Sequence, residues 1–199
     1  MDETCTLAAA RAHYLAAAGL GDGGYDDPLV RLRFGPLTIT LPNTAGRKKA
    51  VPLHDIHHVL TGYPAGSWRG EFAISAWEIA AGCGRFLTGW AINLGGFAAG
   101  ALAYPRTTFA AFVRGRRSQA LYRAYPHGPT SDLLAQPVGL VRTRLHLDLA
   151  VAPATGGDVL RFACWLAIGL PAIVLHLVAA LVLGPLLWLA GLARPAPAK

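Results

Sequence analysis

Charged side chains and cysteines are scarce in this chain of 199 residues. Charged residues make up 15% of it and hydrophobic residues 53%, whereas soluble domains average roughly 25% charged residues. This deficit favours a protein associated with a membrane. The three cysteines, Cys5, Cys83 and Cys164, form no CxxC pair, so we expect no disulfide framework and no cysteine zinc site.

The N-terminus lacks the basic region that precedes the apolar core of a secretory signal. It begins "MDETC", with two acidic residues, so we expect no secretory signal and a chain that stays largely in the cytoplasm.

The net charge of +7 is concentrated in residues 106–128. The aromatic residues there form no stacking motif, so attraction to anionic lipid head groups is favoured over nucleic acid, and no nucleic-acid partner is expected. A solvated helix face is an equally weighted alternative.

Residues 162–193 contain no Asp, Glu, Lys or Arg. A spanning helix needs about 20 apolar residues, so these 32 fit one long kinked helix or two short ones. Pro171 and Pro185 allow either, and Trp165 and Trp188 stand where interface anchors are expected. The segment predicts membrane insertion, with a buried core hairpin as the alternative.

The arginines that precede this segment favour the N-terminal part on the inner side of the membrane. Arg142, Arg144 and Arg161 lie near enough to its start to bias the orientation. We therefore expect a bacterial cytoplasmic (inner) membrane protein whose N-terminal domain faces the cytoplasm.

The remaining patterns predict a mainly α fold: a helical membrane-associated domain over 1–152, with a small β-hairpin at 29–42, and a transmembrane segment over 159–193. Alternation on both sides of Gly35-Pro36 indicates the hairpin. A basic loop should follow it, up to Leu53. The predicted helices are 5–19, one from Leu53, one from near Ser67, 86–104, one through about Tyr122, and two short ones on either side of Pro137.

The stretch "HDIHH" concentrates metal-ligand chemistry at residues 54–58. On a helix, His54 and His58 share a face, which is the spacing that two imidazoles need to reach one ion. Asp55 could ligate or orient a ligand, and His57 could substitute for His58. Glu71 follows a Gly/Pro turn that could fold it back. The alternative is a solvated, histidine-rich helix.

The stretch "HDIHHVLTGYPAGSWRGE", followed by "AWE", resembles the signature of the fourth Coq protein family of ubiquinone (coenzyme Q) biosynthesis. That family has His-Asp, two residues, His, eleven residues and Glu; here twelve residues separate His58 from Glu71. The stretches "AFVRGRRSQALY" and "LLAQPVGLVRTRL" are similar to later parts of the family. The resemblance covers roughly residues 10–147.

The resemblance implies a divalent metal ion held by His54, Asp55, His58 and Glu71. Glu78 is seven residues after Glu71, on the same helix face, and could support the site. Zinc is the first choice, and iron and manganese are alternatives. It also implies a helical, membrane-associated fold that binds a prenylated quinone precursor. The implied activity is metal-dependent decarboxylation coupled to hydroxylation at ring carbon one of a prenylated benzoate.

Two other functions stay open at this stage. One is a non-catalytic lipid-binding scaffold for other quinone-biosynthesis enzymes; the other is a membrane metallohydrolase. The second is disfavoured because an Asp, not a Glu, follows the first histidine. Membrane lipids and quinone-biosynthesis enzymes are the expected partners, and a homodimer is left open.

Overall fold

The computed structural model describes residues 3–34 and 37–189, and these residues form a mainly helical protein, as predicted. Its elements are α1 Leu7–Ala17, β1 Leu29–Phe34, β2 Leu37–Pro42, α2 Ala45–Thr61, α3 Trp68–Ala81, α4 Leu87–Ala103, α5 Pro105–Gly115, α6 Ser131–Leu134, α7 Val138–Arg144 and α8 Gly156–Leu189. The division into 1–152 and 159–193 stays a prediction.

The region predicted as a β-hairpin contains β1 and β2, which pair antiparallel from Leu29 opposite Pro42 to Phe34 opposite Leu37. The turn predicted at Gly35-Pro36 lies outside the described residues.

Helix α3 is the centre of the core. Trp77 is fully buried, and its indole N–H donates to the Ser118 hydroxyl at 2.9 Å. Helix α4 approaches α3 closely because a Cβ at Gly96 would collide with the Ser75 hydroxyl. This close packing holds α4 against the helix that carries Glu71 and Glu78.

Helix α2 begins earlier than predicted. The expected basic loop up to Leu53 is wrong, because Thr44 caps a helix that starts at Ala45 and its hydroxyl accepts from the Arg47 N–H. Pro52 lies inside this helix. A proline removes one helical hydrogen bond, but the capped first turn and the burial of Ala50 and Leu53 keep the helix continuous.

The helix predicted to run through Tyr122 ends at Gly115 instead. The following backbone finds tertiary partners: the Gln119 N–H donates to the Leu145 carbonyl, and the Leu121 N–H donates to His57 Nε2. These bonds replace the helical ones, so the chain leaves the helix without stranding its buried polar groups.

The C-terminal segment is one helix, α8, which continues through Pro171 and Pro185. Among the described residues it is the one helix long and apolar enough to cross a membrane, over Gly156–Ala179. Its first turn is tied to the rest of the protein because Asp158 accepts from Arg116 at 2.8 Å and from Arg117 at 2.7 Å.

Candidate metal centre

Helix α2 brings the imidazoles of His54 and His58 together. Residues four apart lie on one helix face, and the two Nε2 atoms are 3.2 Å apart. The side chain of His58 is 1% exposed and that of His54 is 20% exposed. The pair therefore lies at the edge of the core, with His54 toward solvent.

Glu71 reaches this pair from α3. Its Oε2 lies 3.8 Å from His54 Nε2 and 3.6 Å from His58 Nε2. For zinc bonds of about 2.0–2.1 Å, tetrahedral ligand atoms are about 3.3 Å apart, close to the observed separations. His54, His58 and Glu71 could therefore hold a metal ion.

The tautomers of both histidines follow from their other ring nitrogens. His58 Nδ1–H donates to the Tyr63 carbonyl at 2.9 Å, and His54 Nδ1–H donates to Glu78 Oε2 at 3.1 Å. Each neutral ring thus presents a bare lone pair at Nε2. Two such acceptors 3.2 Å apart repel unless a proton or a cation lies between them, and a carbonyl or carboxylate behind each ring is the usual arrangement of metal-binding histidines.

The turn between α2 and α3 sets the positions of Tyr63 and Glu71. It leaves α2 through Gly62 in the left-handed conformation, at φ 76°. A Cβ at Gly70 would collide with the Pro64 carbonyl oxygen, so the turn folds tightly onto α3. The Gly66 N–H donates to Glu71 Oε1 at 3.2 Å, which leaves Oε2 turned toward the histidines.

Glu78 is a fully buried carboxylate with four donors. Its Oε1 accepts from His57 Nδ1–H at 2.6 Å and from the Tyr122 hydroxyl at 3.0 Å. Its Oε2 accepts from His54 and, at 2.5 Å, from the Asn93 amide. Glu78 therefore satisfies the requirement that a buried charge be hydrogen-bonded. It joins α2, α3 and α4 to the stretch of chain that carries Tyr122.

The electrostatics of the centre favour charged groups despite their burial. Burial alone would lower the pKa of His54, but Glu78 and Glu71 outweigh it and raise that pKa well above its usual range. Burial would raise the pKa of Glu78, but His54 and His57 hold it far below its usual range. Burial would also raise the pKa of Glu71, but hydrogen bonds with His54 and His58 outweigh burial and lower that pKa below its usual range.

Asp55 is not one of the three converging residues. It is buried, and its Oδ2 accepts from the Tyr25 hydroxyl at 2.5 Å. Burial raises the pKa of Asp55, with His54 and Tyr25 opposing the rise. Asp55 thus ties the loop that follows α1 to α2, and its predicted role as a metal ligand stays a prediction.

His57 faces the core rather than the metal centre. Its Nε2 accepts from the Leu121 N–H at 2.9 Å while its Nδ1–H donates to Glu78. Both nitrogens are therefore engaged, and the expectation that His57 could substitute for His58 is wrong. Burial lowers the pKa of His57, which keeps it neutral.

Sequence reasoning missed four neighbours of the centre. Tyr14 stacks on His58 with ring centroids 5.5 Å apart, and Tyr25, Asn93 and Tyr122 bind the buried carboxylates. Asn93 alone had a signal: it is an amide in the middle of an otherwise apolar helix, and such a group needs a buried partner.

The "RGRR" stretch, residues 114–117, forms internal contacts. Arg114 donates to the Thr61 carbonyl at 2.8 Å, and Arg116 and Arg117 bind Asp158. These contacts tie the end of α5 to α2 and to the start of α8, because Asp158 on α8 lies opposite Arg116 and Arg117.

A groove of about 660 Å³ lies beside α5. Apolar side chains line it, together with Arg69, Arg106 and Arg114. None of these arginines forms an ion pair with a carboxylate in the part of the chain that the structure describes. The groove also touches residues 151, 152 and 154, directly before α8.

No protein-family model, no curated protein and no solved structure matches this chain.

Proposed function

We propose that this protein is a membrane-attached, metal-dependent enzyme of prenylquinone biosynthesis. It would bind a prenylated benzoate intermediate and support decarboxylation and hydroxylation at ring carbon one. One observation carries the metal-dependent part: the Nε2 atoms of His54 and His58 lie 3.2 Å apart, with Glu71 Oε2 beside both. The quinone substrate rests on the sequence resemblance.

In this proposal His54, His58 and Glu71 hold the ion, and Glu78 and the Tyr63 carbonyl orient the two rings. The donor set of two imidazoles and a carboxylate suits zinc first, and iron or manganese as alternatives. Such an ion supplies Lewis acidity toward a substrate carboxylate or phenolate. The Glu71 side chain is 40% exposed, so the substrate would enter from its side.

Helix α8 is the proposed transmembrane anchor in a bacterial inner membrane. The clamp of Asp158 by Arg116 and Arg117 would fix the helical domain to the start of this anchor. The arginines near that start favour the domain on the cytoplasmic side. Prenylated precursors reside in the bilayer, so this attachment would keep the metal centre close to them.

A non-catalytic lipid-binding scaffold is the second candidate, and one observation favours it. Glu78 joins His54 and His57 of α2 to Asn93 of α4 and to Tyr122. A metal on His54 would stabilise this buried network, as structural metal sites do. The same protein would then present quinone intermediates to partner enzymes.

Deletion of the gene, followed by quinone profiling and complementation, tests both candidates. We expect the deletion to lose its prenylquinone and to regain it with the wild-type gene. His58→Ala should fail to rescue if the centre is catalytic, whereas the exposed control His13→Ala should rescue fully. Normal quinones in the deletion strain would exclude both candidates, and full rescue by His58→Ala would exclude catalysis at this centre.

A further inference from the structure

Helix α8 packs on α4 along one stripe, well inside its apolar stretch. Trp165 stacks on Trp90 with ring centroids 5.2 Å apart. A Cβ at Gly169 would lie 3.0 Å from the Leu94 carbonyl and from the Ala98 side chain, and a Cβ at Gly95 would lie 2.9 Å from the His176 ring. The two helices therefore lie in close contact over much of the stretch that is apolar enough to span a bilayer.

The length of α8 beyond this contact is too short to cross a bilayer alone. The 13 residues from Leu177 to Leu189 rise about 20 Å as a helix, whereas the hydrocarbon core is about 30 Å thick. Counting on to Ala193, before Arg194, gives 17 uncharged residues, fewer than the roughly 20 that a span needs. A span by α8 must therefore include residues that touch α4.

Helix α4 exposes apolar side chains, as a helix in contact with lipid must. Its 17 residues include no charged side chain. On the side away from the core, Leu87 is 82% exposed, Leu102 67% and Ile92 47%. Helix α8 also exposes apolar side chains, with Leu175 69% and Leu181 74% exposed, and large exposed apolar surfaces mark a membrane or protein contact.

We propose that α4 enters the bilayer beside α8, so that acyl chains cover its exposed face. This inference rests on the proposed insertion of α8. Three arginines that have no carboxylate partner among the described residues line the groove directly before α8: Arg69, Arg106 and Arg114. Anionic head groups would meet them there. This charge at the edge of the apolar surface favours lipid over a second copy of the chain as its cover.

The metal centre then lies one helix layer from the lipid. Asn93 of α4 donates to Glu78, and Glu78 accepts from His54. A bilayer-dissolved amphiphile would approach the centre without leaving the membrane interface.

Lipid quenching of a site-specific fluorophore tests this placement in the full chain. Cys5 and Cys164 are replaced by serine, and Cys83 is kept because it is fully buried. Single cysteines are introduced as Ile92→Cys and Leu102→Cys on α4, with Leu175→Cys on α8 and the exposed Leu140→Cys on α7 as controls. Each is labelled with a bimane and reconstituted in phosphatidylcholine–phosphatidylglycerol vesicles whose acyl chains are brominated or not.

We expect the α4 labels to lose their fluorescence in brominated vesicles to the same extent as the label on Leu175→Cys, while the Leu140→Cys label keeps its fluorescence. Quenching at Leu175→Cys with none at either α4 position would overturn the inference and leave α8 insertion intact. Absence of quenching at Leu175→Cys would instead contradict the membrane anchor itself. Shielding of the α4 labels from both lipid and an aqueous quencher would show a protein contact and also overturn the inference.

Discussion

The substitution Glu78→Gln should uncouple metal binding from folding. It keeps the size of the side chain but replaces one of two acceptor oxygens with an NH2 group. Glu78→Ala would be a poorer choice, because it strands four donors at about 1–3 kcal/mol each, which approaches the whole stability of a domain, about 5–15 kcal/mol.

The surroundings decide which end of the new amide faces which partner. His57 cannot change tautomer without losing its bond from the Leu121 N–H, so the amide oxygen should face His57 and Tyr122. The NH2 group then faces Asn93 and His54. Asn93 can rotate its Oδ1, which has no hydrogen-bond partner among the described residues, to accept one of the two hydrogens.

His54 must accept the other hydrogen, which moves its own proton from Nδ1 to Nε2. An Nε2 that carries a proton is not a metal ligand. We therefore expect metal affinity to fall at least 10–100-fold, the usual effect of losing such a partner, or about 1.4–2.8 kcal/mol. The loss of unfolding free energy in the metal-free protein should be smaller than for Glu78→Ala, about 1–3 kcal/mol.

Competition with a chromophoric chelator measures the zinc affinity, and thermal unfolding in detergent measures the stability. The exposed Glu3→Gln is the matched control and should behave as wild type. Unchanged zinc affinity in folded Glu78→Gln would refute the role of Glu78 in orienting His54. Failure of Glu78→Gln to fold would refute the proposed rearrangement of Asn93 and His54.

Three further predictions follow from the same geometry. Protonated His54 stabilises the metal-free protein, and because the pKa of His54 is raised in the folded state, this contribution is complete below the ordinary pKa of 6.5. It is lost as pH rises through the raised pKa. The melting temperature without metal should therefore fall as pH rises above 6.5, and saturating zinc should abolish that fall. Gly70→Ala should cost about 1–3 kcal/mol and weaken zinc binding, because a Cβ would displace the Pro64 carbonyl, whereas Gly156→Ala has open space and should be neutral in both assays. Asp158→Asn should speed proteolysis of residues 149–155, because it releases α8 from Arg116 and Arg117. The control Asp132→Asn should be cleaved at the wild-type rate. Equal cleavage rates in Asp158→Asn and the wild type would contradict the role of these ion pairs.

The sequence was sufficient for features that depend on local spacing. The i, i+4 relation of His54 and His58 follows from helical periodicity, and the Ser67 cap marks the start of α3. The long apolar run predicted helix but left open one kinked helix or two short ones, and α8 is one continuous helix. The extra residue before Glu71 did not prevent Glu71 from reaching the histidines, because the Gly70 contact with Pro64 closes the turn.

Features that depend on tertiary partners could not be predicted in this way. Asp55 is adjacent to His54 in sequence, yet one residue is about 100° around a helix, and the Tyr25 hydroxyl 30 residues earlier is its partner. The orientation of His57 depends on a backbone N–H 64 residues later. Helical periodicity predicts the face of a side chain, but not which distant segment covers that face.

The zinc content of the purified full chain tests the central claim most directly. After equilibration with zinc and removal of free ion, we expect one bound ion per chain in the wild type and in His13→Ala. His58→Ala should lose it, because only one imidazole then remains beside Glu71. A folded wild type that binds no zinc, iron or manganese, or equal binding by folded His58→Ala, would contradict a metal centre at His54, His58 and Glu71.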